Sequence, residues 1–336
     1  MTTMRAVQVD APGAGLRLVE REIPEPAPRE VLVKVEACGV CHGDAIPDRG
    51  GYPGLSHPRV PGHEVVGRVV ECGAAVTGFA PGERVGVGWS GGHCMECEAC
   101  AAGDQGSCED PWVTGLSVDG GYAEYMTARS SALVRIPEEL ASADAAPLLC
   151  AGATTFSALK DSAARGGDVV AVHGIGGLGH LAIQYANRLG FTTVAISRGR
   201  EKEALARELG ADFYVDATSE DAADELRKLG GATVILATAP DSKAIASLIN
   251  GLAEGGQLII VAAVGEPLMV HPGQLFRGDR SIKGWHGRRP VEALDFSVRF
   301  GVMPMIETFP LDRVQEAFDK MMTAKVHFRS VLVMDA

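Results

Sequence analysis

The 336-residue chain carries 31 Lys and Arg against 43 Asp and Glu, a formal net charge of −12 at pH 7. That acidic balance disfavours nucleic acid or an anionic membrane surface as a partner, and no apolar run approaches the length of a membrane span. Hydrophobic residues make up 46% and aromatics 5%, as in an ordinary globular protein, and the length suggests about two domains.

Up to about residue 148 the pattern is rich in strands. Pro24, Pro26 and Pro28 form an extended lead-in that cannot be helix. Short β-branched runs at 31–37, 65–71 and 83–88, separated by Pro and Gly turns, predict a barrel-like β domain. Near Cys150 the character changes. A strand at 169–173 leads through a glycine-rich loop into a helix over 181–190, then a strand at 193–196 and a helix over 201–209. A strand at 213–215, a helix over 222–229, a strand at 233–238, a helix over 245–252 and strands at 257–264 and 281–285 follow. Such alternation predicts an α/β unit, a parallel sheet covered on both faces. After residue 289 come a helix, a short strand, a helix over 311–323 and a strand over 328–334, too little for a domain and expected to rejoin the first. The expected division is 1–149, 150–288 and 289–336.

The start, Met1-Thr-Thr-Met-Arg-Ala-Val, lacks the basic-then-apolar pattern of a secretory signal, so a cytoplasmic protein is expected. Its eight cysteines then read as metal ligands and free thiols rather than disulfides. Cys94, Cys97, Cys100 and Cys108 give C-x2-C-x2-C-x7-C in a lobe at about 91–110, and one tight lobe can point four thiolates at a closed tetrahedral zinc. An iron–sulfur cluster is the nearest rival, but the last gap is long and no second cysteine-rich run supplies a partner cluster. A zinc ribbon gripping nucleic acid would need a basic surface. Cys38 and Cys72 are expected to be buried small hydrophobes.

Gly174, Gly176 and Gly179, with Gly177 between them, spell G-x-G-x-x-G directly after one predicted strand and before one predicted helix. In that context the loop is a dinucleotide site, where backbone approaches a pyrophosphate at a helix N-terminus. NAD enzymes usually carry Asp or Glu at the end of the second strand. Here the segment is Ile196-Ser197-Arg198-Gly199-Arg200, and Ser197 and Arg198 are suited to hydrogen-bond and neutralise a 2′-phosphate. NADP(H) is therefore expected, with NAD(H) the alternative if these arginines are solvated loop charges.

Cys41-His42-Gly43-Asp44, Gly62-His63-Glu64 and Cys150 supply one His and two Cys, the ligand number of a catalytic zinc that keeps a fourth position open. Together with the segments D-G-G-Y-A-E-Y and L-C-A-G-A-T-T, these motifs resemble the zinc-dependent medium-chain alcohol dehydrogenases, in family order and over nearly the whole chain. The resemblance implies a GroES-like catalytic domain interrupted by a Rossmann domain, with two Zn2+ per subunit, the catalytic one in the cleft between the domains. Carried over by position, Cys41, His63 and Cys150 are the catalytic zinc ligands, and Glu64 is an acid that can approach the metal. Asp44 orients His63, His42 contacts cofactor phosphate, and Thr154 lies beside the nicotinamide. Tyr52, Trp89 and Trp112 are candidate walls of an apolar substrate pocket, with core packing the alternative for each.

The implied activity is hydride transfer between a nicotinamide and an alcohol, with its aldehyde or ketone as the other partner. A polyol or formaldehyde-linked dehydrogenase is a close alternative, and a non-catalytic NADP(H)-binding protein a more distant one. A zinc-free quinone or enoyl reductase shares the fold but not the Cys41, His63 and Cys150 set. Many family members carry Ser or Thr at the position of Gly43 and His at that of Ile46, passing the alcohol proton to solvent. This chain has neither, so its proton is expected to leave through water or another group, with Asp48, Tyr52 and His57 nearby in sequence. The resemblance also implies a homodimer or homotetramer, joined through the region of 257–264 and 281–285.

Overall fold

The computed structural model describes residues 2–334. The chain forms two compact units: residues up to Cys150 with Pro290–Val298 and the chain from Pro304 onward, and Ala151–Arg289 with Arg299–Met303. Residues 299–303, expected in the returning tail, thus pack with the second unit, and Cys150 closes the first.

The first unit is built on a seven-stranded sheet whose hub is Glu30–Val40. Val31, Val33 and Val35 alternate into the core while Lys34 faces solvent, the period-two pattern that β-branched residues stabilise on a half-buried surface. Val65–Cys72 runs antiparallel along this strand, Tyr125–Arg129 pairs with its first half, and Arg329–Val333 pairs with its end. Ile306–Pro310 extends the sheet beyond Arg329–Val333, and Arg84–Val87 and Leu133–Arg135 extend it beyond Val65–Cys72. Register then positions chemistry. Ser330 opposite Val40 and Val65 opposite Cys38 bring Arg329, Cys41 and the His63-Glu64 pair to one end of three strands.

Several elements have no clear sequence signal. Thr3–Gln8 and Arg17–Glu22 form an antiparallel hairpin, but the second strand, RLVERE, alternates charge with little apolar content. Helices Ser142–Pro147 and Ala153–Lys160 flank a π-helical turn, Leu148–Gly152, that carries Cys150. Where a single helix is predicted over 311–323, a 3-10 turn at Leu311–Arg313 precedes the helix Val314–Met322.

The second unit is a six-stranded parallel sheet. Its spatial order is Phe213–Asp216, Thr192–Ser197, Val169–His173, Ala232–Ala237, Leu252–Ile260 and Ser281–Gly284. In chain order that is 3-2-1-4-5-6, so the strand order reverses beside Val169–His173, where an open α/β sheet leaves a crevice at the carboxyl ends of its strands. Val194, Ile196, Ile235, Leu258 and Ile245 fill the core on one side. The strand expected at 257–264 begins earlier and ends at Ile260, and the helix expected over 201–209 is Glu203–Glu208. Among the described residues no helix is long and apolar enough to cross a membrane.

Candidate active site and metal centres

Cys41 precedes the 3-10 turn His42–Ala45, His63 and Glu64 precede Val65–Cys72, and Cys150 lies on the π-helical turn. One ligand atom from each of Cys41, His63, Glu64 and Cys150 lies within 4.8 Å of the others. His63 is buried, and its Nδ1 is 2.7 Å from Asp44 Oδ1. Its Nε2 has no hydrogen-bond partner among the described residues. A buried imidazole with one nitrogen held by a carboxylate and the other orphaned among thiols is the donor set a metal completes. Burial alone would depress His63, but the charge and hydrogen bond of Asp44 raise it well above the usual histidine value. The Cys150 thiol beside Cys41 helps to hold Cys41 well below the ordinary thiol range.

Glu64 is fully buried, and one of its oxygens pairs with the guanidinium of Arg329 while the other has no partner among the described residues. Burial pushes Glu64 up to about 7 even though Arg329 pulls it down. Arg329 carries no motif, and its only sequence signal is a cation at the start of an apolar strand.

The four cysteines of the lobe converge as well, with Sγ atoms within 4.8 Å of one another. Cys94 Sγ lies 3.9 Å from Cys100 Sγ and 3.6 Å from Cys108 Sγ, close to the roughly 3.8 Å edge of a tetrahedron with metal–sulfur bonds of about 2.3 Å. Backbone N–H groups of Cys97, Cys100 and Cys94 point at the sulfurs of Cys94, Cys97 and Cys108, each at 3.4 Å. Donors from Glu96 and Cys97 pull the Cys94 thiol down to about 6, which favours the thiolate a metal needs. The remaining cysteines are free; Cys38 is buried and Cys72 half-buried.

The aromatic residues separate. Trp89 lies edge-on to the His63 ring, centroids 4.8 Å apart at 86°. Trp112 instead stacks under Arg129 at 3.7 Å, in the short strand Trp112–Val113 beside the cysteine lobe. Tyr52 is half-buried in the loop after the helix Ile46–Arg49. Asp48 accepts from the Gly15 backbone at 2.7 Å and His57 Nε2 lies 2.9 Å from the Pro47 carbonyl, so these two of the three nearby relay candidates are held by structural contacts.

Gly43 is explained by Trp89. A Cβ at residue 43 would sit 2.8 Å from Trp89 Cζ3 and 3.0 Å from His63 Cε1, so the indole fills the space a hydroxyl side chain would need. Gly43→Thr is therefore expected to destabilise the protein by about 1–3 kcal/mol through overpacking, and Gly43→Thr with Trp89→Leu to recover most of that loss. Thermal unfolding of the two variants checks this, and equal loss in both would show that the indole is not the obstacle.

In the second unit the glycine-rich loop joins Val169–His173 to the helix Gly179–Arg188. A Cβ on Gly179 would collide with the Gly174 carbonyl, whereas one on Gly176 meets nothing within 4 Å, so the loop is open on that side. Gly177 lies within that loop, and Thr154 is buried in the first turn of Ala153–Lys160. His42 is exposed in its 3-10 turn. Ser197 ends Thr192–Ser197, and Arg198 is exposed just beyond it. Arg200 is occupied by Glu203 at 2.8 Å. Lys202, which no sequence motif marks, bonds the Ile175 carbonyl of the glycine loop at 2.7 Å and lies within electrostatic reach of Arg198. Asp216 is the nearest acid on the next strand. Its oxygens accept from Thr218, Ser219 and the Gly199 backbone, which hold it well below the usual carboxylate range and direct it at its own turn.

Comparison with known proteins identifies the family. The alcohol dehydrogenase GroES-like domain model matches residues 27–138, and the zinc-binding dehydrogenase model matches residues 177–299. An alcohol dehydrogenase of Aspergillus sp. (strain MF297-2) is 43% identical over 327 residues, 96% of each chain. A cinnamyl alcohol dehydrogenase of Sorghum bicolor superposes with a TM-score of 0.87 at 30% identity, over 99% of this chain and 98% of that one. A zinc-binding dehydrogenase of Sinorhizobium meliloti 1021, solved bound to NADP, gives 0.88 at 27% identity over 99% and 100%. The chain belongs to the zinc-dependent medium-chain alcohol dehydrogenases. It is accordingly a zinc-dependent oxidoreductase that uses a nicotinamide cofactor on an alcohol/aldehyde pair.

Proposed function

We propose that this dehydrogenase works with NADP(H) and two zinc ions per subunit, one held by Cys41, His63 and Cys150 and one by Cys94, Cys97, Cys100 and Cys108. The observation that carries the reading is the convergence of Cys41, His63, Glu64 and Cys150 within 4.8 Å around an orphaned His63 Nε2. Zinc bound there would supply Lewis acidity towards the alcohol or carbonyl oxygen. The protein's own part is positional. Asp44 takes the Nδ1 proton of His63 in a hydrogen bond, which fixes the tautomer and leaves Nε2 for the metal. Trp89 occupies the space beside Gly43, so no side-chain hydroxyl serves there and the alcohol proton would leave through water. Glu64, anchored by Arg329, keeps one oxygen available to the ligand cluster.

For the cofactor, the backbone at Gly174, Gly176 and Gly177 and the N-terminus of Gly179–Arg188 hold the pyrophosphate, with Thr154 beside the nicotinamide. Ser197, Arg198 and Lys202 together offer a hydroxyl and two cations to a 2′-phosphate, and the engagement of Asp216 in its own turn leaves that phosphate unopposed. Ser197→Asp places a carboxylate against the 2′-phosphate. It is expected to lower kcat/KM for NADPH about 100-fold while leaving NADH unchanged or better, because a like charge at close range costs several kcal/mol. Following the absorbance of NADPH and NADH during reduction of a small aldehyde panel tests the whole reading. Preference for NADH in the wild-type protein removes the phosphate site and keeps the enzyme.

A homodimer or homotetramer is favoured by the open edge strand Ser281–Gly284 and by Met269 and Phe276, 84% and 74% exposed on the preceding segment. Sedimentation of the purified protein tests it, and a monomer at micromolar concentration is the contrary result.

A further inference from the structure

We infer that Tyr122 is a positioning residue of the Cys41–His63–Cys150 centre, acting through Asp44. The inference rests on the metal reading proposed above. Asp44 is 3% exposed and receives four hydrogen bonds. Oδ1 is paired with His63 Nδ1 at 2.7 Å and accepts from the Gly62 backbone at 3.2 Å. Oδ2 accepts from the Cys41 backbone at 2.9 Å and from the Tyr122 hydroxyl at 2.9 Å. Three of these donors belong to the two segments that carry Cys41 and His63. The fourth comes from elsewhere in the chain, and it is the one side-chain hydroxyl among them.

Tyr122 is held where its hydroxyl must meet Asp44. Backbone bonds from Gly120 to Val60, from Tyr122 to Pro61 and from Gly121 to Gly62, at 2.8, 3.0 and 2.9 Å, lace its segment to the one leading into His63. Gly62 has φ +101° and lacks a side chain against the phenol ring, where a Cβ would lie 2.5 Å from Tyr122 Cδ1. The ring is fully buried. With two donors on each oxygen, the carboxylate cannot rotate without breaking a bond, and the plane of Asp44 sets the direction of the His63 ring. Removing the hydroxyl leaves Oδ2 with the Cys41 backbone alone. Three bonds then hold the aspartate where four did, so a rotation that tilts His63 Nε2 away from the thiols breaks one bond fewer.

A purely packing role is the competing account, since Tyr122 also belongs to the apolar core of its unit. Tyr122→Phe separates the two, because it keeps the ring and deletes only the donor. In the purified holoenzyme challenged with a chelator, Tyr122→Phe is expected to release the metal of the Cys41 centre about 10-fold faster, by analogy with other partners of metal-bound histidines. The cysteine lobe should release its metal at the wild-type rate, an internal control. Cobalt substituted at the Cys41 centre should show shifted thiolate-to-metal and ligand-field bands. In an Asp44→Asn background the same change should have no further effect on release, because the path through Asp44 is already cut. Incorporation of 4-fluorophenylalanine at position 122, which keeps the ring and fills the hydroxyl's place without a donor, repeats the comparison if the phenylalanine variant does not accumulate.

Unchanged release and cobalt bands, with or without a lower melting temperature, would make Tyr122 a packing residue only. An undiminished effect in the Asp44→Asn background would likewise overturn the path through Asp44. A wild-type protein that retains metal only in the lobe would instead overturn the metal reading, and this inference with it.

Discussion

On the two-zinc reading proposed above, His63→Ala is expected to retain one zinc per subunit in place of two and to lose turnover by about 10^3-fold, the scale of several kcal/mol of charge stabilisation. The fold should survive. Asp44, deprived of His63, still accepts from the backbone of Cys41 and Gly62 and from Tyr122, so no buried carboxylate is stranded. The cysteine lobe is built from its own cysteines and backbone N–H groups, so its metal should stay. Metal content and NADPH oxidation, measured on the same preparation with a melting curve as control, decide the matter. Turnover within tenfold of wild type would remove His63 from the chemistry.

Arg329→Leu should unfold the protein more readily, by about 3–5 kcal/mol near neutral pH, the usual loss when one half of a buried ion pair is deleted. Arg329 is 4% exposed and Glu64 fully buried, so the abandoned carboxylate has no water to turn to. The pH dependence follows from the sign of the shift. In the zinc-free protein, burial raises Glu64 to about 7 from an ordinary value of 4.5, so the native state binds more protons than the unfolded chain between those values and stability falls as pH rises through that window. Without Arg329 the native value moves higher still and the window extends to more alkaline pH. Urea midpoints across that range should show Arg329→Leu closest to wild type at the acid end. Glu64→Leu with Arg329→Leu should recover part of the loss, because no charge is then left uncompensated. A pH-independent deficit would show that packing, not charge, dominates at this pair.

Features that depend on neighbours in the chain were legible in the residues. The lobe spacing of Cys94, Cys97, Cys100 and Cys108 confines the sulfurs to one tight turn, and they do converge. G-x-G-x-x-G between an apolar run and an amphipathic one predicts a strand, a loop and a helix, and these are Val169–His173, the loop and Gly179–Arg188. The hairpin Thr3–Gln8 with Arg17–Glu22 was hidden because its second strand owes its place to pairing, not to an apolar face of its own. The absence of a hydroxyl at Gly43 could be read from the chain, but its cause could not, since only the fold brings Trp89 against that α-carbon.

By itself, then, the sequence determined which atoms are available: thiols and an imidazole for metal, glycines for phosphate, and no side-chain hydroxyl at residue 43. Tertiary structure alone decided which partners hold those atoms in place: Arg329 on Glu64 across 265 residues, and Tyr122 on Asp44 across 78. Such pairings are set by strand order and register, which depend on every element of the sheet at once, and no local pattern of residues encodes them.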